Sequence, residues 1–247
     1  MRSFWFLVYI CSFSGLFGES LHHLGKEFRV FRALPKEVRL VWRNANSTPL
    51  FSFQAAYREL VEDGQKIALL MNGGIFEPGH IPSGLYVEKG KMIRPLNLKG
   101  GRGNFFLKPN AVFYLRKDGE SLRAGVEESE EFARWSREEK ERLWYAVQSG
   151  PALLLNGKKH PAFNRNSQSE LLRNGVGVSE KGEVIFVITD GRENDCNLWT
   201  FADCFRALGC REALFLDGDI SQMKVNPDPK VKGHGFATMF AVLKEIK

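Results

Sequence analysis

The sequence has few cysteines and histidines, and their spacing does not fit a metal site. The 247 residues include four cysteines and five histidines. Cys196, Cys204 and Cys210 match no zinc-site spacing and have no histidine nearby in sequence, and no two histidines stand at ligand spacing. These three cysteines are expected to be small buried apolar side chains, with at most one disulfide among them. A structural zinc is not expected.

Blocks of lysine and arginine with interleaved aromatic residues are also missing. The net charge of +6 comes from cations spread along the chain among acidic residues, so nucleic-acid binding is not expected. The mild positive excess favours anionic substrates. The sequence shows neither a low-complexity linker nor an internal repeat, so residues 21–247 are predicted to form one domain.

Long apolar runs are limited to the N-terminus. Arg2 precedes an apolar stretch from Phe4 to Phe17 that is short for a membrane span, and small residues follow at Gly18 and Ser20. This pattern predicts a signal peptide over residues 1–20 and an exported protein, periplasmic or secreted. An uncleaved anchor is the alternative, and it would be the protein's only membrane contact.

Helix and strand patterns alternate through the rest of the chain. Helices are predicted over residues 53–62 and 130–144, and over a third segment that Thr200 and Asp203 begin as a capping box. Two strands are predicted within residues 28–42, and others over residues 66–71, 84–88, 91–94, 104–107, 111–116, 153–155, 175–178, 184–189, 213–216, 222–225 and 236–243. The fold class is therefore α+β, a single domain with a large mixed, mostly antiparallel sheet flanked by helices.

Five polar loops that contain glycine stand at the ends of predicted strands. They are Asn72-Gly73-Gly74, Gln148-Ser149-Gly150, Arg173-Asn174-Gly175, Asp190-Gly191 and Asp217-Gly218-Asp219-Ile220-Ser221. Each loop alone is also typical of an ordinary turn. Arg173 is more informative, because its neighbours are small or apolar and its guanidinium needs an anionic partner. That partner is either Asp217 or a substrate phosphate.

Together these loops resemble the phosphodiester glycosidase family. The motifs that carry the resemblance are Asn72-Gly73-Gly74-x-Phe76, Ser149-Gly150-Pro151, Arg173-Asn174-Gly175-Val176-Gly177, Asp190-Gly191 with Asn197-Leu198-Trp199, and Leu216-Asp217-Gly218, in that order over about residues 67–240. The resemblance implies cleavage of a sugar-1-phosphodiester at the anomeric C–O bond, with release of a phosphomonoester. Asp219-Ile220 replaces a glycine-rich run of the eukaryotic enzyme, as in the exported bacterial branch.

Within this resemblance, the expected roles follow from side-chain chemistry. Arg173 would bind the phosphate, helped by N–H groups of Gly73, Gly74 and Gly150. Asp217 is the first candidate for the essential carboxylate, as base or nucleophile, before Asp190 and Asp219. The remaining candidates for binding the substrate or orienting these groups are Asn72, Gln148, Ser149, Asn174 and Ser221. No cofactor is expected, although the aspartate pair could instead bind Ca²⁺ or Mg²⁺.

Two other functions are compatible with the sequence. One is a non-catalytic binding protein for cell-wall or exopolysaccharide sugars, with Phe76, Tyr86 and Trp199 as stacking surfaces. The other is a metal-dependent phosphodiesterase that cleaves the P–O bond. The expected partner is a sugar phosphate or a cell-envelope glycan. The sequence specifies neither the sugar nor the oligomeric state.

Overall fold

The computed structural model describes residues 18–61 and 65–246. Over these residues the chain forms eighteen β-strands and four short α-helices. The helices are α1 (Phe53–Leu60), α2 (Ser129–Ala133), α3 (Arg137–Glu141) and α4 (Leu198–Ala207). The strands are β1 (Glu19–His23), β2 (Lys26–Ala33), β3 (Val38–Val41), β4 (Gln65–Asn72), β5 (Phe76–Glu77), β6 (Ile81–Pro82), β7 (Tyr86–Glu88), β8 (Lys91–Arg94), β9 (Ala111–Asp118), β10 (Ser121–Glu128), β11 (Leu143–Ser149), β12 (Ala152–Leu155), β13 (Lys158–Lys159), β14 (Asn174–Ser179), β15 (Val184–Thr189), β16 (Cys210–Asp217), β17 (Met223–Val225) and β18 (Met239–Glu245).

The strands form three main sheets and one small hairpin. A seven-stranded sheet has the order β1-β2-β15-β14-β16-β12-β13, a five-stranded sheet the order β10-β9-β11-β7-β8, and a four-stranded sheet the order β17-β4-β18-β3. The sheets meet in one core, where the ring of Phe240 packs 5.4 Å from Phe113 and 5.3 Å from Phe186. These three residues come from the four-, five- and seven-stranded sheets respectively.

The seven-stranded sheet curls around helix α4. Phe201 and Phe205 of the helix are fully buried and pack into the core on that face of the sheet. Asp203 joins the two edge strands, because its carboxylate lies 3.0 Å from Nε2 of His23 on β1 and also pairs with Lys159 on β13. The helix therefore fills the concave face, and the loop before it lies at one end of the sheet.

The ends of several strands meet at one place. Asn174 at the start of β14 pairs with Asp217 at the end of β16, and the four-stranded sheet contributes the end of β4 at Asn72. Ser149, the last residue of β11, donates from Oγ to the carbonyl oxygen of Leu216 at 3.0 Å. All three sheets thus supply loops to one edge, although these loops are far apart in sequence.

The predicted α+β class and single domain are confirmed, and the strands are divided among several sheets. Every strand pairing in the described parts of the chain is antiparallel. Cys196, Cys204 and Cys210 are buried free thiols, in agreement with the expected packing role.

Three local predictions are wrong. The helix predicted over residues 130–144 is instead α2, α3 and the start of β11, because Ser136 begins a new helix with a capping box to Glu139. Residues 104–107 form a 3-10 turn closed by a hydrogen bond from Phe106 N to Gly103 O. Helix α4 is capped by Asn197, whose side chain accepts from Thr200 N.

The predicted signal peptide lies almost entirely outside the described residues. Its last two residues, Glu19 and Ser20, belong to β1 and pair with Val30 and Arg29 of β2. Cleavage after Ser20 would therefore remove the first two residues of that strand. Within residues 18–61 and 65–246, helices are too short or too polar to cross a bilayer.

Candidate active site at the sheet edge

Asn174 is the centre of a buried polar network at this edge. Its Nδ2 donates to both the carbonyl oxygen and Oδ1 of Asn72, each at 3.0 Å. Its Oδ1 accepts from the backbone N of Asp217 at 2.9 Å and from Oγ of Ser221 at 3.2 Å. One buried amide therefore fixes the position of the Asp217 loop relative to the four-stranded sheet.

Asn72 and Thr238 leave polar atoms without a partner beside this network. Oδ1 of Asn72 accepts from Gln222 N at 2.7 Å, but its Nδ2 has no partner. Oγ1 of Thr238 also has none, and it would lie 2.2 Å from a side chain added at Gly73. Both residues are 1% exposed, and buried unpaired polar atoms are rare in folded proteins. Sequence reasoning missed Thr238, which only looks like part of a strand.

Asp217 has an altered pKa. The residue is partly buried at the end of β16, and Oδ1 accepts from the N–H of Gly218 at 2.7 Å. Burial raises the pKa of the Asp217 carboxyl from 3.8 to about 6, with a smaller upward effect from the charge of Asp219 and an opposing effect from the Gly218 N–H. A carboxyl with such a pKa can exchange a proton near neutral pH.

Arg173 is a buried cation without a paired anion. The residue is 1% exposed, with Nε donating to the Cys196 carbonyl at 3.1 Å and Nη2 to the Ser169 carbonyl at 3.0 Å. Nη1 has no partner. Burial lowers the pKa of the guanidinium, while Cys196, Asp219 and Asp195 act in the opposite direction. No carboxylate of the described residues lies within 4.0 Å of it, so Asp217, one of the two candidate partners of Arg173, does not pair with it.

The other two candidate aspartates lie differently. Asp190 follows β15, its side chain is 42% exposed, and Oδ1 pairs with Nε of Arg29 at 2.9 Å. Asp219 is exposed and acts electrostatically on both Asp217 and Arg173. The choice of Asp217 among the three therefore rests on the burial that raises the pKa of its carboxyl.

The chain is similar to known proteins over most of its length. Residues 65–242 match the phosphodiester glycosidase family. The chain belongs to that family. It is also 35% identical over 189 residues to the uncharacterized protein YigE of Escherichia coli K12, covering 76% of this chain and 69% of that one.

Two solved structures share the fold of this phosphodiester glycosidase family member. The catalytic domain of zebrafish N-acetylglucosamine-1-phosphodiester alpha-N-acetylglucosaminidase, auto-inhibited by its pro-peptide, has a TM-score of 0.64 and 17% identity, covering 92% of this chain and 82% of that one. A Burkholderia pseudomallei protein predicted to be exported has a TM-score of 0.60 and 11% identity, covering 91% and 74%. At these identities the likeness concerns the fold.

Gln148 and Ser149 hold the site together in this family member. Gln148 is fully buried, and its Oε1 accepts from Leu85 N and Asn97 N. Its Nε2 donates to Asn97 O and to Oγ of Ser129. Ser149 Oγ links Leu216 to the N–H of Ile75. Of the two roles expected for Gln148, orienting neighbouring groups fits this geometry, because its amide has no free atom for a sugar.

The glycines of the phosphodiester glycosidase loops mainly allow close packing. Gly73 donates its N–H to Thr238 O at 2.8 Å. This N–H is therefore not available to a phosphate, contrary to the prediction. A side chain at Gly74 would lie 3.0 Å from Cβ of Ser149, and one at Gly150 would lie 2.7 Å from Cβ of Asn110. Glycine is needed at Gly150, because a larger residue would collide, whereas a larger residue at Gly74 requires Ser149 to shift by a few tenths of an ångström.

A metal site is not visible in the described residues. Within residues 18–61 and 65–246, no three His, Cys, Asp or Glu side chains are grouped closely enough to hold an ion. The possible binding of Ca²⁺ or Mg²⁺ by the Asp217 loop stays a prediction.

Proposed function

We propose that this protein hydrolyses a sugar-1-phosphodiester at the anomeric C–O bond, releasing the sugar and a phosphomonoester. Membership in the phosphodiester glycosidase family supports a hydrolase. The finer proposal depends on the chemistry of the buried polar edge, in particular on Arg173 and Asp217.

The observation that carries the proposal is the unpaired Arg173. A buried charge without a counter-charge is costly, and here the guanidinium keeps Nη1 free while two backbone carbonyls hold the other nitrogens. An oxyanion of the substrate phosphate is a suitable partner, since guanidinium groups bind phosphate with charge-assisted hydrogen bonds. Binding would remove the unfavourable isolation of the charge.

Phosphate as a leaving group reduces the need for a general acid. A phosphomonoester has a second pKa of about 6, so the departing group carries its charge readily when a cation stabilises it. Arg173 would supply that stabilisation as the charge develops. Ordinary glycosidases, by contrast, protonate an alkoxide with a carboxylic acid.

Asp217 is the proposed reacting carboxylate. As a base, ionised Asp217 takes a proton from water while the water oxygen attacks the anomeric carbon. The electron pair of the C–O bond then remains on the phosphate oxygen. As a nucleophile, the carboxylate attacks first and water hydrolyses the resulting ester. In both routes the Asn174 amide fixes the Asp217 backbone, and Ser221 supports it through Asn174.

The substrate class suggested by a relative is testable. The zebrafish structure is named for N-acetylglucosamine-1-phosphodiester hydrolysis, so N-acetylglucosamine 1-(methyl phosphate) is a reasonable first compound. An exported location is proposed as well, because the N-terminal residues have the composition of a signal peptide and a structural neighbour is predicted to be exported.

The test is hydrolysis in water labelled with heavy oxygen. Purified protein is incubated with 1-(methyl phosphate) diesters of several sugars, with and without a chelator. The masses of the products are measured by mass spectrometry. Label in the sugar is expected and identifies C–O cleavage. Label in the phosphomonoester would overturn the proposal in favour of a phosphodiesterase. Loss of activity with the chelator would assign Asp217 to a metal ion instead.

A further inference from the structure

Three aromatic rings contact one another in series beyond the edge of the four-stranded sheet, one pair stacked and the other edge-on. The ring of His80 packs 5.2 Å from that of Phe76 in a nearly parallel arrangement, with an interplanar angle of 16°. On its other side it meets the ring of Phe51 at 4.8 Å and 82°. Phe51 ends the series and is 40% exposed. We call Phe51, His80 and Phe76 the aromatic stack.

Two members of the stack have a strained backbone. Phe51 has a φ of 60° and His80 a φ of 57°, in the left-handed region that side chains with a Cβ normally avoid. Hydrogen bonds keep both residues in this conformation. The Phe51 carbonyl accepts from Gly235 N at 2.8 Å and Phe236 N at 3.2 Å, and the His80 carbonyl accepts from Nε1 of Trp42 at 2.9 Å. Strain of this kind is concentrated at ligand sites.

Backbone hydrogen bonds connect the stack to the sheet edge that carries the unpartnered polar atoms of the site. Met239 pairs with both Asn72 and Val41, so the ends of β4 and β3 and the start of β18 share one edge. The next residue along each chain segment at this edge is Trp42 after β3, Gly73 after β4 and Thr238 before β18. Trp42 holds His80, and the segment just before Thr238 holds Phe51. The segments that bind the Phe51 and His80 carbonyls are therefore neighbours in the chain of Thr238 and of Val41, whose strands flank Asn72 at this edge.

The stack and Arg173 lie on different sides of the site. Asn174 sends its side chain to Asn72 in the four-stranded sheet. Arg173, the preceding residue, instead contacts the Cys196 and Ser169 carbonyls on the side of α4. If the phosphate binds at Arg173, the group on the opposite side of the scissile bond can extend towards Asn72 and the four-stranded sheet. That group is the sugar.

We propose that the exposed ring of Phe51 binds the apolar face of the substrate's pyranose, an inference that rests on the proposed function. A pyranose presents C–H groups on its faces and hydroxyls at its rim. The C–H groups suit the electron-rich face of an aromatic ring. The amide of Asn72 and the hydroxyl of Thr238 can pair with the rim hydroxyls. His80 and Phe76 keep the Phe51 ring in a fixed plane.

The test measures binding by calorimetry and separates ring stacking from phosphate binding. The probes are the 1-phosphates of glucose, N-acetylglucosamine, mannose and galactose, with inorganic phosphate as the probe without a ring. Phe51→Gly is expected to weaken the best sugar 1-phosphate roughly 3- to 10-fold and to leave phosphate binding unchanged. Phe51→Trp should retain the sugar affinity. Phe51→Gly should also melt no lower than the wild type, because glycine accepts the left-handed backbone.

Leu24→Gly is the matched control. Leu24 is also an exposed apolar residue, at 49%, with a φ of 50°, in the turn between β1 and β2. Its replacement removes an apolar side chain from a similar backbone conformation. Sugar 1-phosphate affinity should be unchanged in this variant. An equal loss in Leu24→Gly and Phe51→Gly would overturn the proposal.

Other outcomes distinguish the stack from the hydrolytic function. The proposed role of the stack is overturned if the wild-type protein binds none of the four sugar 1-phosphates at millimolar concentration. It is also overturned if the protein binds them no better than inorganic phosphate. Tighter binding of adenosine 5′-monophosphate that Phe51→Gly abolishes would overturn the choice of a sugar. Stack-dependent sugar binding without diester hydrolysis would refute the proposed reaction alone. Hydrolysis with an unchanged KM in Phe51→Gly would refute the stack alone.

Discussion

Two loops of the seven-stranded sheet share the dipeptide Asp-Gly and differ in almost everything else. β15 and β16 both pair with β14, so they run in the same direction and end at the same edge. Asp190 after β15 is 42% exposed and paired with Arg29. Asp217, the last residue of β16, is partly buried, and burial raises its carboxyl pKa to about 6.

The difference shows that the environment of a carboxylate separates a turn residue from a candidate reacting group. The Asp190 carboxylate is in contact with solvent and with the guanidinium of Arg29, and both stabilise its charge. Burial removes much of the water around the Asp217 carboxylate. Among the described residues, the N–H of Gly218 is the contact that stabilises its charge. A carboxyl held in this costly state is more typical of functional sites than of turns.

The largest expected effect separates these two aspartates directly. Asp217→Asn is expected to lower kcat for a sugar-1-phosphodiester by at least about 10³-fold, since the amide can neither take a proton nor attack carbon. Asp190→Asn should stay within about threefold of the wild type, because this substitution at an exposed position removes only a surface ion pair. Steady-state kinetics on both variants provide the comparison. A similar loss in both would remove the distinction.

Arg173 and Gln148 form a second pair that sharpens the comparison. Both are buried polar side chains, but Gln148 has partners for its whole amide, whereas Arg173 leaves Nη1 unpaired. Arg173→Met is expected to reduce kcat/KM about 100-fold, in line with the loss of a group that stabilises developing charge.

Arg173→Met should leave the melting temperature unchanged or raise it, because replacing an unpaired buried charge by an apolar side chain is often stabilising. Arg173→Lys serves as the charge-retaining control, with an intermediate kcat/KM, since an ammonium cannot reproduce the guanidinium geometry. A drop in stability without loss of activity in Arg173→Met would make this arginine a structural residue.

Much of this site could be predicted from the sequence, because turn chemistry is local. The Asp217 and Asn72 loops follow apolar strands directly, and the strand over Val184–Thr189 was predicted with its exact bounds. The partners could not be predicted in this way. Asn174 and Asn72 are 102 residues apart, and nothing local encodes that their amides meet. Propensity also misled where glutamate and arginine are dense, since Ser136 divides that segment into two helices.

Phe76 was already a candidate stacking surface in the sequence, but Phe51, His80 and Thr238 escaped sequence reasoning for a related reason. Phe51 and His80 have left-handed backbones that their residue types do not favour, so no local rule predicts them. Thr238 lies in a stretch that looks like a strand, and only the packing around Gly73 shows that its hydroxyl has no partner. Functional sites often break local rules, because surrounding structure maintains them.

The next expected effect concerns stability at Gln148. Gln148→Ala is expected to lower the free energy of unfolding by about 2–4 kcal/mol, because the Leu85 and Asn97 N–H groups lose a buried acceptor. Urea denaturation measures this change. Gln54→Ala is the control, since this glutamine donates one hydrogen bond at an exposed position and should change stability by less than about 0.5 kcal/mol. Equal effects would show that Gln148 is not an important link between loops.

The smallest expected effect is the pH dependence that the Asp217 carboxyl gives to folding. Its pKa is raised from 3.8 to about 6 in the folded protein, so the folded state binds this proton more tightly than the unfolded state does. The stabilisation is complete below about pH 4 and is lost as the pH rises to about 6. The wild type should therefore lose roughly 1–3 kcal/mol of unfolding free energy relative to Asp217→Asn across this interval. Asp190→Asn keeps the Asp217 carboxyl and should therefore lose unfolding free energy over the same interval as the wild type does. If chemical denaturation at several pH values gave parallel curves for the wild type and Asp217→Asn, the two Asp-Gly loops would be electrostatically alike. The raised pKa would then not explain the choice of Asp217.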